Sequence, residues 1–324
     1  MVGIIGEYAT ILSENKVKAI VMSKEEIQNR IRKLLEEKNA ILLAHYYQRN
    51  EIQDIADFLG DSLALSIEAA KTDADIIVFA GVRFMAESAS ILSPDKTVLL
   101  PREEAGCPLA DMITVEQLDR FKEENPDVTV VAYVNSSAEI KAHSDICCTS
   151  ANATKVVASL KEATRVLMIP DGNLARYTSL HSDKEIIPWN GYCSVHHFVT
   201  PDEVKTAKAE HPEALFAAHP ECRPEVLEMA DFVGSTGAII TFAKSTDAAE
   251  ILVGTESGIM HQLRKDSPDK TFIPVSDTLL CKDMKYITLE DVLASVVEMQ
   301  YVVDVPQEIR APAQNALSRM LEVS

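Results

Sequence analysis

Short apolar runs alternate with amphipathic stretches along most of this chain. Ala40 to Ala44, Asp75 to Ala80 and Thr97 to Leu100 are brief and apolar without a period of two. Such runs read as strands buried on both faces of a parallel sheet. Between them, Glu51 to Phe58, Ser62 to about Lys71 and Phe84 to Leu92 read as helices. Ahead of the first strand, Ser23-Lys24-Glu25-Glu26 is a capping box, and Ile27, Ile31, Leu34 and Leu35 then fall on one helical face. The recipe recurs twice: strands at Val128 to Ala132 and Arg165 to Ile169, then at Leu215 to Ala218, Phe232-Val233 and Ile251 to Val253. Residues 306–324 read as a closing helix against a sheet edge; residues 1–22 show no clear period and are taken as an extension.

The recurrence is a tandem triplication. Cys107, Cys193 and Cys281 lie 86 and 88 residues apart, each after an apolar run closed by proline (Pro101, Pro188, Pro274) and each seven residues before a threonine (Thr114, Thr200, Thr288) that opens a helix. The same shifts lay His45 on Tyr133 and His219, Tyr47 on Asn135 and Glu221, Asp57 on Asp145 and Asp231, and Asp61-Ser62 on Thr149-Ser150 and Ser235-Thr236. A fixed period of this length marks a repeated structural unit. The expected architecture is α/β: three αβα three-layer domains with parallel sheets, related by a pseudo-threefold axis and set in a triangle around a central cavity. The divisions fall at 23–124, 125–210 and 211–305, with 306–324 closing the chain.

Charge and cysteine use narrow the function. With 31 basic against 50 acidic residues, a net charge of −19, and no basic stripe, a nucleic-acid partner is excluded as an expectation. No apolar run approaches the roughly 20 residues of a membrane span, and the first residues lack a basic signal region, so a cytoplasmic location is expected. Six cysteines in 324 residues are too sparse for a disulfide scaffold. Widely spaced thiols in equivalent loops read instead as metal ligands or catalytic groups.

Three sets of residues carry the chemistry. His45 and Tyr47, Tyr133 and Asn135, and His219 and Glu221 follow strands, at the carboxyl ends where α/β units place their sites. Ser62, Ser150, Ser235 and Thr236 stand where helices should begin, and free N–H groups there suit carboxylate or phosphate. The cysteines of the three repeats could hold zinc with an open position, or an iron–sulfur cluster with one iron lacking a protein thiolate. Neither a C-x2-C pair nor a ferredoxin run separates these two. Cys147-Cys148 and Cys222 break the threefold pattern and read as small buried apolar residues.

Several motifs together resemble one family: Ala44-His45-Tyr46-Tyr47-Gln48, Gln53-Asp54-Ile55-Ala56-Asp57-Phe58-Leu59-Gly60-Asp61-Ser62, Phe84-Met85-Ala86-Glu87, Tyr133-Val134-Asn135-Ser136, Thr149-Ser150-Ala151-Asn152, His219-Pro220-Glu221-Cys222, Gly234-Ser235-Thr236-Gly237 and Gly254-Thr255-Glu256. From about residue 24 to the end the chain is similar to quinolinate synthase, the NadA family of de novo NAD biosynthesis. The resemblance implies one [4Fe–4S] cluster held by Cys107, Cys193 and Cys281, with an open iron acting as Lewis acid. It implies condensation of iminoaspartate with dihydroxyacetone phosphate to quinolinate, releasing phosphate and water. His45, Ser62, Tyr133, Asn135, Ser150, Ser235 and Thr236, with His219 and Glu221, would position the substrates; Tyr47 and Glu221 would move protons, with His219 and His196 as further catalytic groups. Transient supply of the unstable imine from an aspartate-oxidising enzyme is expected. Where some members carry C-x2-C-x2-C, Cys281-Lys282-Asp283-Met284 has one thiol, so a disulfide switch is not supported; of the doubled His196-His197, the spacing from Cys193 favours His196. The rival readings are a three-cysteine zinc hydrolase or lyase and a non-catalytic iron–sulfur sensor.

Overall fold

The computed structural model describes residues 22–323, so residues 1–21 of the expected extension lie outside it. Helix α1 (Lys24–Glu37) begins where its capping box predicts: Glu26 N–H donates to Ser23 Oγ at 3.2 Å, and Ser23 N–H to Glu26 Oε2 at 2.7 Å. Ile27, Ile31, Leu34 and Leu35 are its buried face.

Three four-stranded parallel sheets follow, each with the same strand order. The first segment runs β1 (Ala40–His45), α2 (Asn50–Gln53), β2 (Phe58–Gly60), α3 (Ser62–Lys71), β3 (Ile76–Ala80), α4 (Arg83–Leu92), β4 (Thr97–Leu99) and α5 (Val115–Glu124), in sheet order β2-β1-β3-β4. The second runs β5 (Thr129–Tyr133), α6 (Ala138–Ala142), β6 (Ile146–Cys148), α7 (Ala153–Ser159), β7 (Arg165–Ile169), α8 (Gly172–Ser179), β8 (Glu185–Pro188) and α9 (Pro201–Glu210), ordered β6-β5-β7-β8. The third runs β9 (Leu215–Ala218), α10 (Pro224–Leu227), β10 (Phe232–Val233), α11 (Thr236–Ser245), β11 (Glu250–Gly254), α12 (Ile259–Asp266), β12 (Thr271–Pro274) and α13 (Leu289–Glu298), ordered β10-β9-β11-β12.

The order reverses beside the first strand of each segment, so a crevice opens outside the carboxyl ends of β1/β3, β5/β7 and β9/β11. One expectation needs correction. Glu51 to Phe58 is not one helix: α2 is a single turn, and Phe58-Leu59-Gly60 pairs with Leu43-Ala44-His45 as an edge strand. Ile146–Cys148 is its counterpart on β5.

The triplication is visible in single hydrogen bonds. Asp57, Asp145 and Asp231 each clamp the first strand of their sheet: the carboxylates accept the N–H of Leu42, Val130 and Phe216 at 2.7, 2.7 and 2.8 Å, and the aspartates' own N–H groups donate to the same residues' carbonyls. Lys96, Lys184 and Lys270 also recur: Lys96 and Lys184 each donate to a carbonyl in the helix-to-strand loop ahead of β3 or β7 (Ala74, Ala163), and Lys270 donates to the Ala243 carbonyl in the helix ahead of β11. Thr114, Thr200 and Thr288 each form a complete capping box. The closing helix α14 (Gln307–Glu322) packs on α6 and the edge strand β6, where the Arg319 guanidinium reaches the Asp145 carbonyl. Cys147, Cys148 and Cys222 are fully buried in the cores.

Candidate active site

The pairs at the strand ends are set by turns rather than by extended chain. After β1 the backbone reverses, Gln48 N–H bonding to the His45 carbonyl, and Tyr47 N–H donates to His45 Nδ1 at 3.1 Å. After β9 the same turn recurs: Cys222 N–H to the His219 carbonyl, and Glu221 N–H to His219 Nδ1 at 3.3 Å. Each Nδ1 is therefore an acceptor, which leaves the Nε2 hydrogen free to point elsewhere. His219 Nε2 lies 3.2 Å from Ser150 Oγ of the second segment. Burial, with Lys285 and His219 adding to it, pushes the His45 imidazole down to about 3; burial and the neighbouring His196 do the same for His219 against the pull of Glu221. Both rings are neutral near pH 7.

One cavity of about 70 Å³ collects the residues singled out from the sequence. His45, Tyr47, Ser62, Tyr133, Asn135, Ser150, His196, His219, Glu221, Thr236 and all three of Cys107, Cys193 and Cys281 line it. His196 is buried there, whereas His197 is half-exposed and stacks on Tyr192 at 4.4 Å. Within the wall, His196 Nδ1 lies 2.6 Å from Glu221 Oε2 and 3.3 Å from Cys193 Sγ, and its ring stacks on His219 at 4.5 Å. Two buried acceptors on the cavity wall, Glu221 Oε1 and Asn135 Oδ1, have no protein partner. An unpaired buried acceptor is costly, and a donor from a ligand would satisfy it.

Glu221 is buried yet held as a carboxylate. Burial pushes its pKa up, but the rings of His219 and His196 and the Tyr133 hydroxyl outweigh that and hold the carboxyl at about 2. Tyr47 goes the other way: burial drives its phenol well above the ordinary value despite hydrogen bonds with Thr236 and Thr255. A carboxylate and a protonated phenol thus share one buried wall.

The helix starts are less alike than the repeat suggests. Ser62 is the first residue of α3 and Ser150 sits in a turn, because α7 starts three residues later than the register predicts, at Ala153. Ser235, the N-cap of α11, is not on the cavity wall. Its hydroxyl donates to Asp61 Oδ2 at 3.0 Å, and Gly237 N–H donates to the same oxygen at 3.3 Å. A Cβ on Gly237 would stand 2.9 Å from that oxygen, so glycine is what lets the carboxylate reach the backbone.

Cys107, Cys193 and Cys281 are half-buried thiols. Burial pushes them up, Cys107 to about 12 and Cys281 to about 11, and neighbouring charge adds to it, Cys281 acting on Cys107 and Cys107 on Cys193. Sulfurs that hinder one another's ionisation in a buried wall are a donor set suited to a positively charged metal centre, which favours the thiolate. Among the described residues, Cys193, His196 and Glu221 form a group whose ligand atoms all lie within 4.8 Å of one another; the three cysteines form no such group.

Sequence reasoning assigned no role to the residues that hold the cysteine loops. Asp171 Oδ2 accepts Cys193 N–H and Glu256 Oε1 accepts Cys281 N–H, both at 3.1 Å. Each stands two residues beyond the end of its strand, β7 or β11, and the first segment has Val82 there instead. A count from strand ends would have aligned them; the fixed shifts of 86 and 88 miss by a residue. Lys285 pairs with buried Glu256 at 3.1 Å and also reaches the Tyr47 carbonyl, so one lysine ties the Cys281 loop to the turn after β1.

A family model described as "Quinolinate synthetase A protein" (NadA) matches residues 29–322. The chain is 56% identical over 302 residues to the quinolinate synthase of Geotalea uraniireducens and 54% identical over 302 residues to quinolinate synthase 1 of Methanosarcina acetivorans, in both cases covering 93% of this chain and 99% of the relative. It is 52% identical over 303 residues to the quinolinate synthase of Alkaliphilus metalliredigens, with 93% and 100% covered. With the matched region spanning every strand of the three sheets and the whole cavity wall, the chain belongs to the quinolinate synthase (NadA) family.

Proposed function

We propose that this enzyme condenses iminoaspartate with dihydroxyacetone phosphate to quinolinate, releasing phosphate and water, in NAD biosynthesis. The observation that carries the reading is the convergence on one cavity of three thiols, one from each segment, with strand-end polar residues from the same segments. Cys107, Cys193 and Cys281 would hold a [4Fe–4S] cluster. Such a cluster, having one iron without a protein thiolate, supplies Lewis-acid polarisation of a substrate oxygen. Zinc fits less well: a tetrahedral zinc with bonds near 2.3 Å brings sulfurs to roughly 3.8 Å of one another, and the three cysteines form no group within 4.8 Å among the described residues. The acidic surface charge gives no support to a sensor acting on nucleic acid.

The chain's own residues supply positioning and proton transfer. His45 and His219, neutral with Nδ1 engaged, offer Nε2 hydrogens to substrate oxygens, and Ser62, Ser150, Tyr133 and Thr236 add hydroxyls for carboxylate and phosphate. Ser235, expected among the substrate contacts, instead holds Asp61, itself on the cavity wall. Asn135 Oδ1 and Glu221 Oε1 are acceptors awaiting substrate hydrogens. Tyr47 and Glu221 are the proton-transfer pair, with His196 and His219 against the carboxylate. We further place the three αβα units at 23–124, 125–210 and 211–305, with 306–324 closing, in a triangle around the cavity. The described residues include no helix long and apolar enough to cross a membrane. The reading places the enzyme in the cytoplasm, fed transiently by an aspartate-oxidising partner. The test is anaerobic assay of the iron-loaded protein with both substrates. Quinolinate formation supports the reading, and an iron- and sulfide-loaded protein that forms none from both substrates would overturn it.

A further inference from the structure

Lys141, on the short helix α6, is a fully buried lysine standing behind the cavity wall rather than on it. The repeat shows what it is equivalent to. The shifts of 88 and 86 lay Gln53 on Lys141 and Leu227, and Gln48 on Ser136 and Cys222. Gln53 Nε2 donates to the Gln48 carbonyl at 2.9 Å, in the turn that carries His45 and Tyr47. Lys141 Nζ donates to the Ser136 carbonyl, the equivalent atom in the turn that carries Tyr133 and Asn135. In the third segment Leu227 offers no donor, and Asn173 Nδ2 of the second segment donates instead to the Glu221 carbonyl at 3.0 Å.

Both braces also reach a neighbouring segment. Gln53 Nε2 stands 2.9 Å from the Gly258 carbonyl of the third. The Lys141 ammonium stands 5.6 Å from the centre of the Phe84 ring, which belongs to the first segment and lines the cavity, within cation–π range. Glu87, one turn further along α4, accepts Ala138 N–H at the start of α6 at 3.1 Å. Burial lowers the Lys141 pKa, and the Glu87 carboxylate is the largest influence against that lowering. The second turn has the most use for a strong donor. After β1 and β9 a backbone N–H closes the turn, Gln48 onto the His45 carbonyl and Cys222 onto that of His219. After β5 the Ser136 hydroxyl donates to the Tyr133 carbonyl, at 2.8 Å. A hydroxyl closure holds only while Ser136 keeps its place, and a charged donor, about twice as strong as a neutral one, fixes that residue by its carbonyl. We infer that Lys141 is a positioning residue that braces from behind the turn presenting Tyr133 and Asn135 to substrate.

The inference rests on the proposed substrate-positioning role of Tyr133 and Asn135, and the experiment separates the two. Lys141→Met removes the donor and keeps the length of the side chain; Lys141→Gln rebuilds the brace as the first segment has it. In the cluster-loaded full chain, Lys141→Met should lower kcat/KM by roughly tenfold to a hundredfold, the cost of a displaced positioning group. Its iron and sulfide content should match the parent, and Lys141→Gln should recover most of the loss. A Lys141→Met enzyme with kcat/KM near the parent overturns the inference, as do Met and Gln variants equally impaired, since charge and not the donated hydrogen would then be the agent. Should Lys141→Met fail to fold, Lys141→Gln decides alone: parent-like turnover supports the brace and a tenfold loss overturns it. Independently of turnover, carbon NMR of the tyrosine-labelled full chain should show the Tyr133 resonance, identified by its loss in Tyr133→Phe, shifting in Lys141→Met and returning in Lys141→Gln. An unmoved resonance overturns the inference even if the parent forms no quinolinate.

Discussion

His45 and His219 illustrate how a side chain's chemistry is set by its turn. Each ring accepts the N–H two residues on, so each is held neutral and its remaining N–H is aimed by the backbone. This has a stability consequence. In the unfolded chain both rings titrate near 6.5, and in the fold near 3, so between those values the unfolded chain binds more protons. Stability is complete above about pH 6.5 and drains as pH falls towards 3, by up to about 1.4 kcal/mol per pH unit for each ring. Urea unfolding of cluster-free protein should show its midpoint falling from pH 7 to 5; a flat midpoint would contradict the assigned neutrality. Glu221 is the complementary case, a carboxylate among rings and hydroxyls. Replacing it by Gln should leave iron content intact, since the thiols are untouched, while kcat drops by about 10²- to 10⁴-fold. The identities of the wall residues were legible in the sequence because the repeat aligns them. The charge state of Glu221 was not, because it depends on His196 as well as His219, and in place of His196 the equivalent loops carry Ala110 and Met284.

At the level of elements, the strands and capped helices were legible because short apolar runs and S/T-x-x-E/Q/D boxes are local signals. The edge strands β2 and β6 were not, since three residues such as Phe58-Leu59-Gly60 carry no period and owe their form to pairing with β1 and β5. The repeated aspartate clamp is the element that closes each of these short crossovers. Asp145→Ala should cost about 1.5–3 kcal/mol, the range for a hydrogen bond to a charged group, read as a lower urea midpoint, and Asp57→Ala and Asp231→Ala should match it. The loop anchors differ from segment to segment. Glu256→Leu removes the acceptor of the Cys281 N–H and strands Lys285, whose side chain is only 18% exposed. Breaking such a pair costs on the order of 3 kcal/mol, and iron should leave this variant faster under a chelator than it leaves the parent.

For the whole molecule, the constant period made the triplication legible, whereas no local pattern could reveal the contact of Asp61 with the start of α11 or of Lys285 with the turn after β1. Both are long-range contacts made by residues with ordinary local roles. Because each segment gives one sulfur, Cys107→Ala, Cys193→Ala and Cys281→Ala should each abolish cluster absorbance in reconstituted protein; a full cluster in any of them would refute the ligand assignment. The distance along the chain between those sulfurs also bears on biosynthesis. A ribosome that has made the first two sheets has exposed only two of the three donors, since Cys281 follows β12. On the proposed ligand set, iron delivered during translation would meet an incomplete claw, and metallation would wait until the last sheet is made.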